Sequence, residues 1–263
     1  MTIYNNYKYI NFENGLLDNI IDAVYIITLE NSSRINDVYI QINDLRLCKR
    51  NIVQINKRYT EYYNNNLYKQ TTYYHLLYNN IEIFKHANTN NYNNILVLED
   101  DFIFTNNIKC NKTIKDLQYF INNTKFNLIY LGNIPIIYIP IKYDNFYYVI
   151  FNGQAHSIIY SKNGRDIIIN QYNKNKNIKY LTYEHHDMWY NSFINNRYFY
   201  YKPICYQVLE NTENSISWNN SISNFIINIF SLNKKNSNNY NNYYTFTYIL
   251  HIVFIIIIFK SII

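Results

Sequence analysis

Glycine and proline are scarce in this chain, at 4 and 3 of 263 residues, and no two glycines lie close together. That counts against a P-loop enzyme, whose phosphate cradle needs grouped glycines so that backbone N–H groups can close around the anion. The three cysteines, Cys48, Cys110 and Cys205, are far apart and form no CxxC pair. A disulfide framework or a zinc site is therefore not expected, and reduced thiols in a cytosol-like compartment are the default. The net charge of +6 comes from 24 basic and 18 acidic residues spread along the chain. Without a Lys/Arg cluster, no nucleic-acid partner is expected. Residues 1–21 lack a basic segment followed by an apolar one, so they do not read as a signal peptide.

What the chain has in excess is tyrosine, 32 residues, together with Asn, Ile and Lys. All four are encoded by A/T-rich codons, which points to an A/T-rich genome such as that of a parasite, a protist or a large DNA virus. Asparagine runs then carry little information, and motifs built from the rarer residues carry more. Hydrophobic residues make up 48% of the chain, enough for a sizeable core in one large domain or two small ones.

Short apolar runs alternate with helical patterns. Strands are predicted at Asp22–Leu29, Asn51–Ile55, 94–98, Asn127–Leu131, Ala155–Tyr160 and around Pro203 in Tyr198–Val208, with a strand pair at Ile136–Ile141 and Phe146–Phe151. Helices are predicted from Arg34 to about Arg50, from Thr72 to about His86, over Asn111–Asn122 and from Ser161 to about Gln171. This order implies an α/β layer fold with a mixed, mostly parallel sheet. Residues 1–230 read as the folded domain and Ser231–Asn242 as an Asn/Lys-rich linker. Tyr243–Ile263 reads as a membrane tail anchor, because about 20 apolar residues span a bilayer. Lys234 and Lys235 before that segment favour a cytosolic catalytic domain.

The chemistry centres on Ile95-Leu-Val-Leu-Glu-Asp-Asp-Phe-Ile-Phe104, an apolar strand that ends in Glu99, Asp100 and Asp101. Unpaired carboxylates cannot stay ionised inside an apolar core, so they must sit where the strand leaves the sheet. In open α/β sheets that is where ligands bind. Mg²⁺ or Mn²⁺ commonly bridges one or two such carboxylates to substrate phosphates. On extended chain Glu99 and Asp101 share a side while Asp100 points away. A solvated acidic turn or a helix cap accounts for the same triplet. A second cluster, Glu184-His-His-Asp-Met-Trp189, offers a general base or a second metal ligand, or else Asp187 simply caps a helix. Thr28–Arg34 can hold a phosphate at a helix start, although taken alone the stretch reads more readily as an ordinary cap by Ser32 or Ser33. His75, alone on a helix, defaults to a structural role.

Taken in order, Tyr25-Ile-Ile-Thr-Leu-Glu-Asn-Ser-Ser-Arg34, His75, Ile95–Asp101, Leu128-Ile-Tyr-Leu-Gly132, Gly153-Gln-Ala-His-Ser-Ile-Ile-Tyr-Ser161, His186-Asp187, Pro203, Gln207 and Asn214-Ser-Ile-Ser-Trp218 resemble family 25 glycosyltransferases, the lipooligosaccharide and procollagen galactosyltransferase group. The resemblance covers about residues 22–218. It implies a GT-A, Rossmann-type nucleotide-sugar domain that uses a UDP-sugar donor and Mn²⁺ (or Mg²⁺). By that match Asp101 ligates the metal with Glu99 near the ribose, Thr28 and Arg34 line the nucleotide with Asp100 beside them, and Asp187 is the candidate base. His185 or His186 would orient Asp187 or assist at the metal. A glycan or protein hydroxyl would be the acceptor. The chain departs from the family at Tyr74, where a Ser usually precedes the helix histidine, and at Glu61–Gln70, where a Gly-containing stretch is usual. Those departures leave a second reading, an inactive GT-A-like, membrane-tethered binding or scaffold protein. A third is a metal-dependent phosphotransferase or hydrolase using the same acidic cluster.

Overall fold

The structure is a computed structural model that describes residues 6–56, 72–133, 135–143, 145–153, 156–175, 186–208 and 221–262, without the side chains of 254–262 and of a few residues at element ends. Its centre is a nine-stranded sheet. The strands are β1 (Asn6–Asn11), β2 (Ala23–Leu29), β3 (Arg50–Asn56), β4 (Asn94–Glu99), β6 (Leu128–Gly132), β7 (Pro135–Pro140), β8 (Phe146–Asn152), β9 (Ser157–Ser161) and β10 (Arg197–Tyr200), in the order β1-β3-β2-β4-β9-β6-β10-β8-β7. β2 pairs in parallel with β3 and β4, and β6 pairs in parallel with β10. β9 lies antiparallel between β4 and β6, so β3, β2, β4, β6 and β10 all point the same way. Antiparallel strands close both edges, β1 on β3 and the β7–β8 hairpin on β10. A small separate sheet pairs β5 (Phe102–Phe104) with β11 (Cys205–Gln207).

The central strands are apolar throughout because both faces are covered. In β2, Ala23, Tyr25 and Ile27 face one core while Val24 and Ile26 face the other. β4 divides likewise, with Ile95 and Val97 on the first side and Leu96 and Leu98 on the second. The first face is covered by α2 (Thr72–Thr89), α4 (Lys162–Asn175) and α5 (His186–Phe193), which contribute Leu77, Ile81, Phe84, Ile168, Trp189 and Tyr190. The second is covered by α1 (Ile35–Leu45) and α3 (Asn111–Asn123) through Val38, Ile42, Leu117 and Phe120. The expected strands and helices of the sheet are present except at Tyr198–Val208, which is not one strand around Pro203. There β10 ends at Tyr200, β11 begins at Cys205 in the other sheet, and Pro203 lies between them, its carbonyl taken by Thr105 and Asn107. Arg46 ends α1 in the left-handed region at φ 44°, short of the expected Arg50.

β1 was not expected. Its alternation is carried by tyrosines: Tyr7 packs on His86 while Lys8, on the other face, lies 4.4 Å from the centre of the Tyr39 ring. The stretch read as a linker is also structured. After α6 (Ser221–Phe230), a turn leads into α7 (Ser237–Ile262), and Leu232 and Tyr240 are buried. Tyr240 and Tyr244 pack against Tyr206 and Val208, so the start of α7 is seated on the domain. Among the described residues no helix is long and apolar enough to cross a membrane. The side chains of 254–263, the most apolar part of the expected anchor, lie outside the described residues.

Candidate functional site

From β2 the chain winds outward through α1 to β3. It then returns through α2 to β4 on the other side of β2 and continues toward β6 and β10. The winding direction therefore reverses between β2 and β4, and the crevice beyond the carboxyl ends of those two strands is the expected ligand position in a sheet of this kind. The β2–α1 loop, Thr28–Arg34, and the acidic triplet Glu99–Asp101 both lie there.

Asp100 is the clamp between these two segments. Its carboxylate accepts hydrogen bonds from Thr28 Oγ1 at 2.8 Å, Ser32 Oγ at 2.6 Å and Arg34 Nη1 at 2.8 Å. β4 ends at Glu99, so Asp100 and Asp101 lie in a turn and the alternation expected of extended chain does not extend to them; the turn carries Asp100 into the β2–α1 loop. Ser32 acts there through Asp100 as well as through the Arg34 backbone N–H, which it accepts at 3.2 Å. Arg34 also reaches Asp101, with Nη1 3.6 Å from Oδ2.

Asp101 is buried, with 6% of its side chain exposed. Gln207 Nε2 donates to its Oδ2 at 2.9 Å, and its carbonyl oxygen accepts the Val208 N–H. The β5–β11 pairing thus fixes Gln207, distant in sequence, against the acidic triplet. Asp101 Oδ1 is buried and accepts no hydrogen bond among the described residues. Burial is the main cause that lifts the Asp101 carboxyl to about 6; Arg34 pulls it down, Asp100 pushes it up and Gln207 lowers it again. Glu99 is raised well above the ordinary carboxylate range, first by burial and then by the charges of Asp101, Asp187 and Asp100, with Arg34 opposing.

α5 brings the second cluster to the same place. His186 Nε2 lies 3.9 Å from Glu99 Oε1, and the charge of Asp187 is among those felt by Glu99. The Asp187 carboxylate accepts the Met188 N–H at 2.7 Å, as a residue in the first turn of a helix can. Glu184, His185, Asn214 and Trp218 lie outside the described residues. His75 is buried on α2 with its Nε2 3.5 Å from Asn79 Nδ2, and burial lowers it to about 4. Among the described residues no three His, Cys, Asp or Glu side chains gather at metal-binding spacing. A hard cation held by one or two carboxylates and completed by substrate phosphates does not need three. The buried Oδ1 of Asp101, without a hydrogen-bond partner among the described residues, and the Glu99 carboxylate that feels its charge are oxygen donors of the kind such an ion takes.

Sequence reasoning missed the polar frame under α5. Asn191 Oδ1 accepts from the Asn152 N–H and from Arg197, and Asn191 Nδ2 returns a bond to the Asn152 carbonyl. Asn133 Nδ2 donates to Asn152 Oδ1 at 2.9 Å. Arg197 is itself buried and also donates to the Ile150 carbonyl. This frame fixes α5, and with it His186 and Asp187, above the ends of β6 and β8. In a chain full of asparagine, no sequence signal marks these three as different from the rest.

No family model matches the chain, and no curated protein sequence matches it. Among solved structures, one described as a glycosyltransferase involved in the glycosylation of the major capsid of PBCV-1 aligns over 72% of this chain and 94% of its own, with 10% identity and a TM-score of 0.39. A superposition this loose assigns no fold.

Proposed function

We propose that the chain is a glycosyltransferase with a GT-A-type nucleotide-sugar domain, which moves a hexose from a UDP-sugar to a hydroxyl of a glycan or protein acceptor with inversion. The observation that supports this reading is the meeting of two acidic clusters in one crevice. Glu99 and Asp101 come from the end of β4, and His186 and Asp187 come from α5 across the sheet. Glycosyl transfer needs these two parts: a place for the diphosphate, and a base on the acceptor side.

In this reading Thr28–Arg34, locked by Asp100, forms the nucleotide side of the crevice. Arg34 has further N–H donors beyond those given to Asp100, and a guanidinium is suited to phosphate oxygens. Asp101 and Glu99 would hold Mn²⁺ or Mg²⁺ together with the diphosphate, and the ion when bound supplies positive charge against the departing UDP. Asp187 would accept the proton of the acceptor hydroxyl. His186, between Asp187 in sequence and Glu99 in space, orients the acceptor side.

The test is release of UDP from UDP-galactose and UDP-glucose in the presence of Mn²⁺ and a panel of sugar acceptors, with calorimetric binding of UDP measured alongside. Turnover that is lost in Asp187→Asn while UDP binding is kept supports the reading. UDP binding without turnover of any donor favours the inactive binding protein. Absence of both UDP binding and turnover overturns the proposal.

A further inference from the structure

The two C-terminal helices carry an apolar surface on the side turned away from the domain. On α7, Tyr240 and Tyr244 pack in the cluster with Tyr206, Tyr248 donates its hydroxyl hydrogen to the Tyr201 carbonyl, and His251 stacks on Tyr138 with ring centres 3.9 Å apart. These positions recur at the spacing of one helix face. The opposite face carries Phe246, Ile249, Leu250 and Val253, again at spacings of three and four, and they are 40%, 54%, 50% and 45% exposed. On α6, Phe225 and Ile229 are 64% and 58% exposed, and Phe230 ties α6 to α7 through the Phe246 ring. A helix seated on a water-soluble surface ordinarily turns polar residues outward; α7 turns an apolar stripe outward instead.

We infer that this α6–α7 face docks on a lipid bilayer, with the helices lying along the membrane surface. Charge selects that occupant. From Asn214 to the last residue of the sequence there is no Asp or Glu, while Lys234, Lys235 and Lys260 are basic. Lys234 and Lys235 stand in the turn between the two helices, where Lys235 pairs with Asp37 of α1. The helices of the stripe carry no carboxylate, and the one at its border, Asp37, is paired with Lys235, which leaves Lys234 as the charge beside the stripe, of the sign that an anionic membrane attracts. The sequence continues the apolar character with Phe254-Ile-Ile-Ile-Ile-Phe259. One face of α7 is occupied by protein as far as His251, so lipid meets that part of the helix from the outer side only. The domain is therefore held against the bilayer in a set orientation rather than on a free tether. This inference does not depend on the glycosyl-transfer reading.

The test is flotation of the full chain with phosphatidylcholine vesicles, with and without phosphatidylserine. The wild type should float with the vesicles, more strongly with phosphatidylserine and less so at high salt. The double variant Ile249→Asp/Leu250→Asp should lose most of its flotation while keeping the wild-type thermal unfolding profile. A milder variant, Ile249→Ser/Leu250→Ser, should fall between, which keeps the test open if the first one unfolds. Wild-type protein that stays behind, or variants that float as well as the wild type, would overturn the inference. So would a concentration-dependent dimer in light scattering that the same variants abolish while vesicle binding is absent, because a second copy of the chain would then be the occupant.

Discussion

Replacing Asp101 by Asn should make the fold more stable near neutral pH. The folded chain holds the Asp101 proton up to about pH 6, against an ordinary value of 3.8. Below pH 3.8 the group is protonated in both states and costs nothing. As pH rises, the unfolded chain releases this proton first, so stability falls through the window from 3.8 to about 6, and the penalty is complete above it. A displacement of this size corresponds to roughly 3 kcal/mol. Burial of the side chain means solvent screening removes little of it. Asn cannot ionise and still offers an oxygen to Gln207, and the pull of Arg34 on the carboxylate is already contained in the value of about 6. The gain for Asp101→Asn at about pH 7.5 is therefore roughly 3 kcal/mol, or a rise in Tm of roughly 6–12 °C. Thermal unfolding of the two proteins across the pH range checks this, because the difference between them removes the titration of every group that does not feel Asp101; Glu99 does feel it, and loses part of its upward push in the variant. The gain should shrink toward zero as pH drops to about 4. A variant less stable than the wild type at neutral pH, or a difference that does not change with pH, would refute the reasoning.

Three further outcomes follow from particular contacts. Arg34→Ala removes the cation from Asp100 and should cost about 1–3 kcal/mol in denaturant unfolding, and UDP binding should weaken in parallel. Arg165 is fully buried; its guanidinium donates to Asn88 Oδ1 and to the carbonyls of Tyr92, Asn93 and Tyr160. Burial lowers it only to about 10, so it stays charged at neutral pH, and Arg165→Met should cost roughly 3 kcal/mol or more in denaturant midpoint by orphaning these acceptors. At Gly132 an added Cβ would lie 2.1 Å from the Cys205 carbonyl oxygen and 2.7 Å from His156 Nε2. Because the nearer atom is backbone of the β11 segment, Gly132→Ala should destabilise by about 1–3 kcal/mol and disturb the placement of Gln207 on Asp101, lowering UDP affinity as well as Tm.

How much could be read in advance differs between sheet and site. β2, β4, β6 and β9 were legible because strands covered on both faces must be apolar along their whole length, and such runs stand out even in a biased composition. The position of the acidic triplet followed from the same argument, since carboxylates could not continue such a run. β1 escaped because an edge strand made of Asn, Tyr and Lys has the composition of a loop in this chain. The role of Asp100 was not legible: the strand ends at Glu99, so alternation does not place Asp100, and the donors it meets depend on the β2–α1 loop folding back by tertiary contact. Gln207 could be noted but not placed, because its bond to Asp101 depends on the β5–β11 pairing between segments about a hundred residues apart. The linker reading of Ser231–Asn242 took polar composition for solvation, whereas Tyr240 stacks on Tyr206 with ring centres 4.0 Å apart.

The most direct measurement of the central claim is UDP release from UDP-hexoses by wild type, Asp187→Asn and Asp101→Asn, with UDP affinity measured on each. The account predicts that Asp187→Asn binds UDP as the wild type does but loses at least about a hundredfold in turnover, the scale of a missing general base. Asp101→Asn should lose UDP affinity in Mn²⁺ while unfolding at a higher temperature than the wild type. Undiminished turnover in Asp187→Asn, or unchanged Mn²⁺-dependent UDP binding in Asp101→Asn, would contradict it.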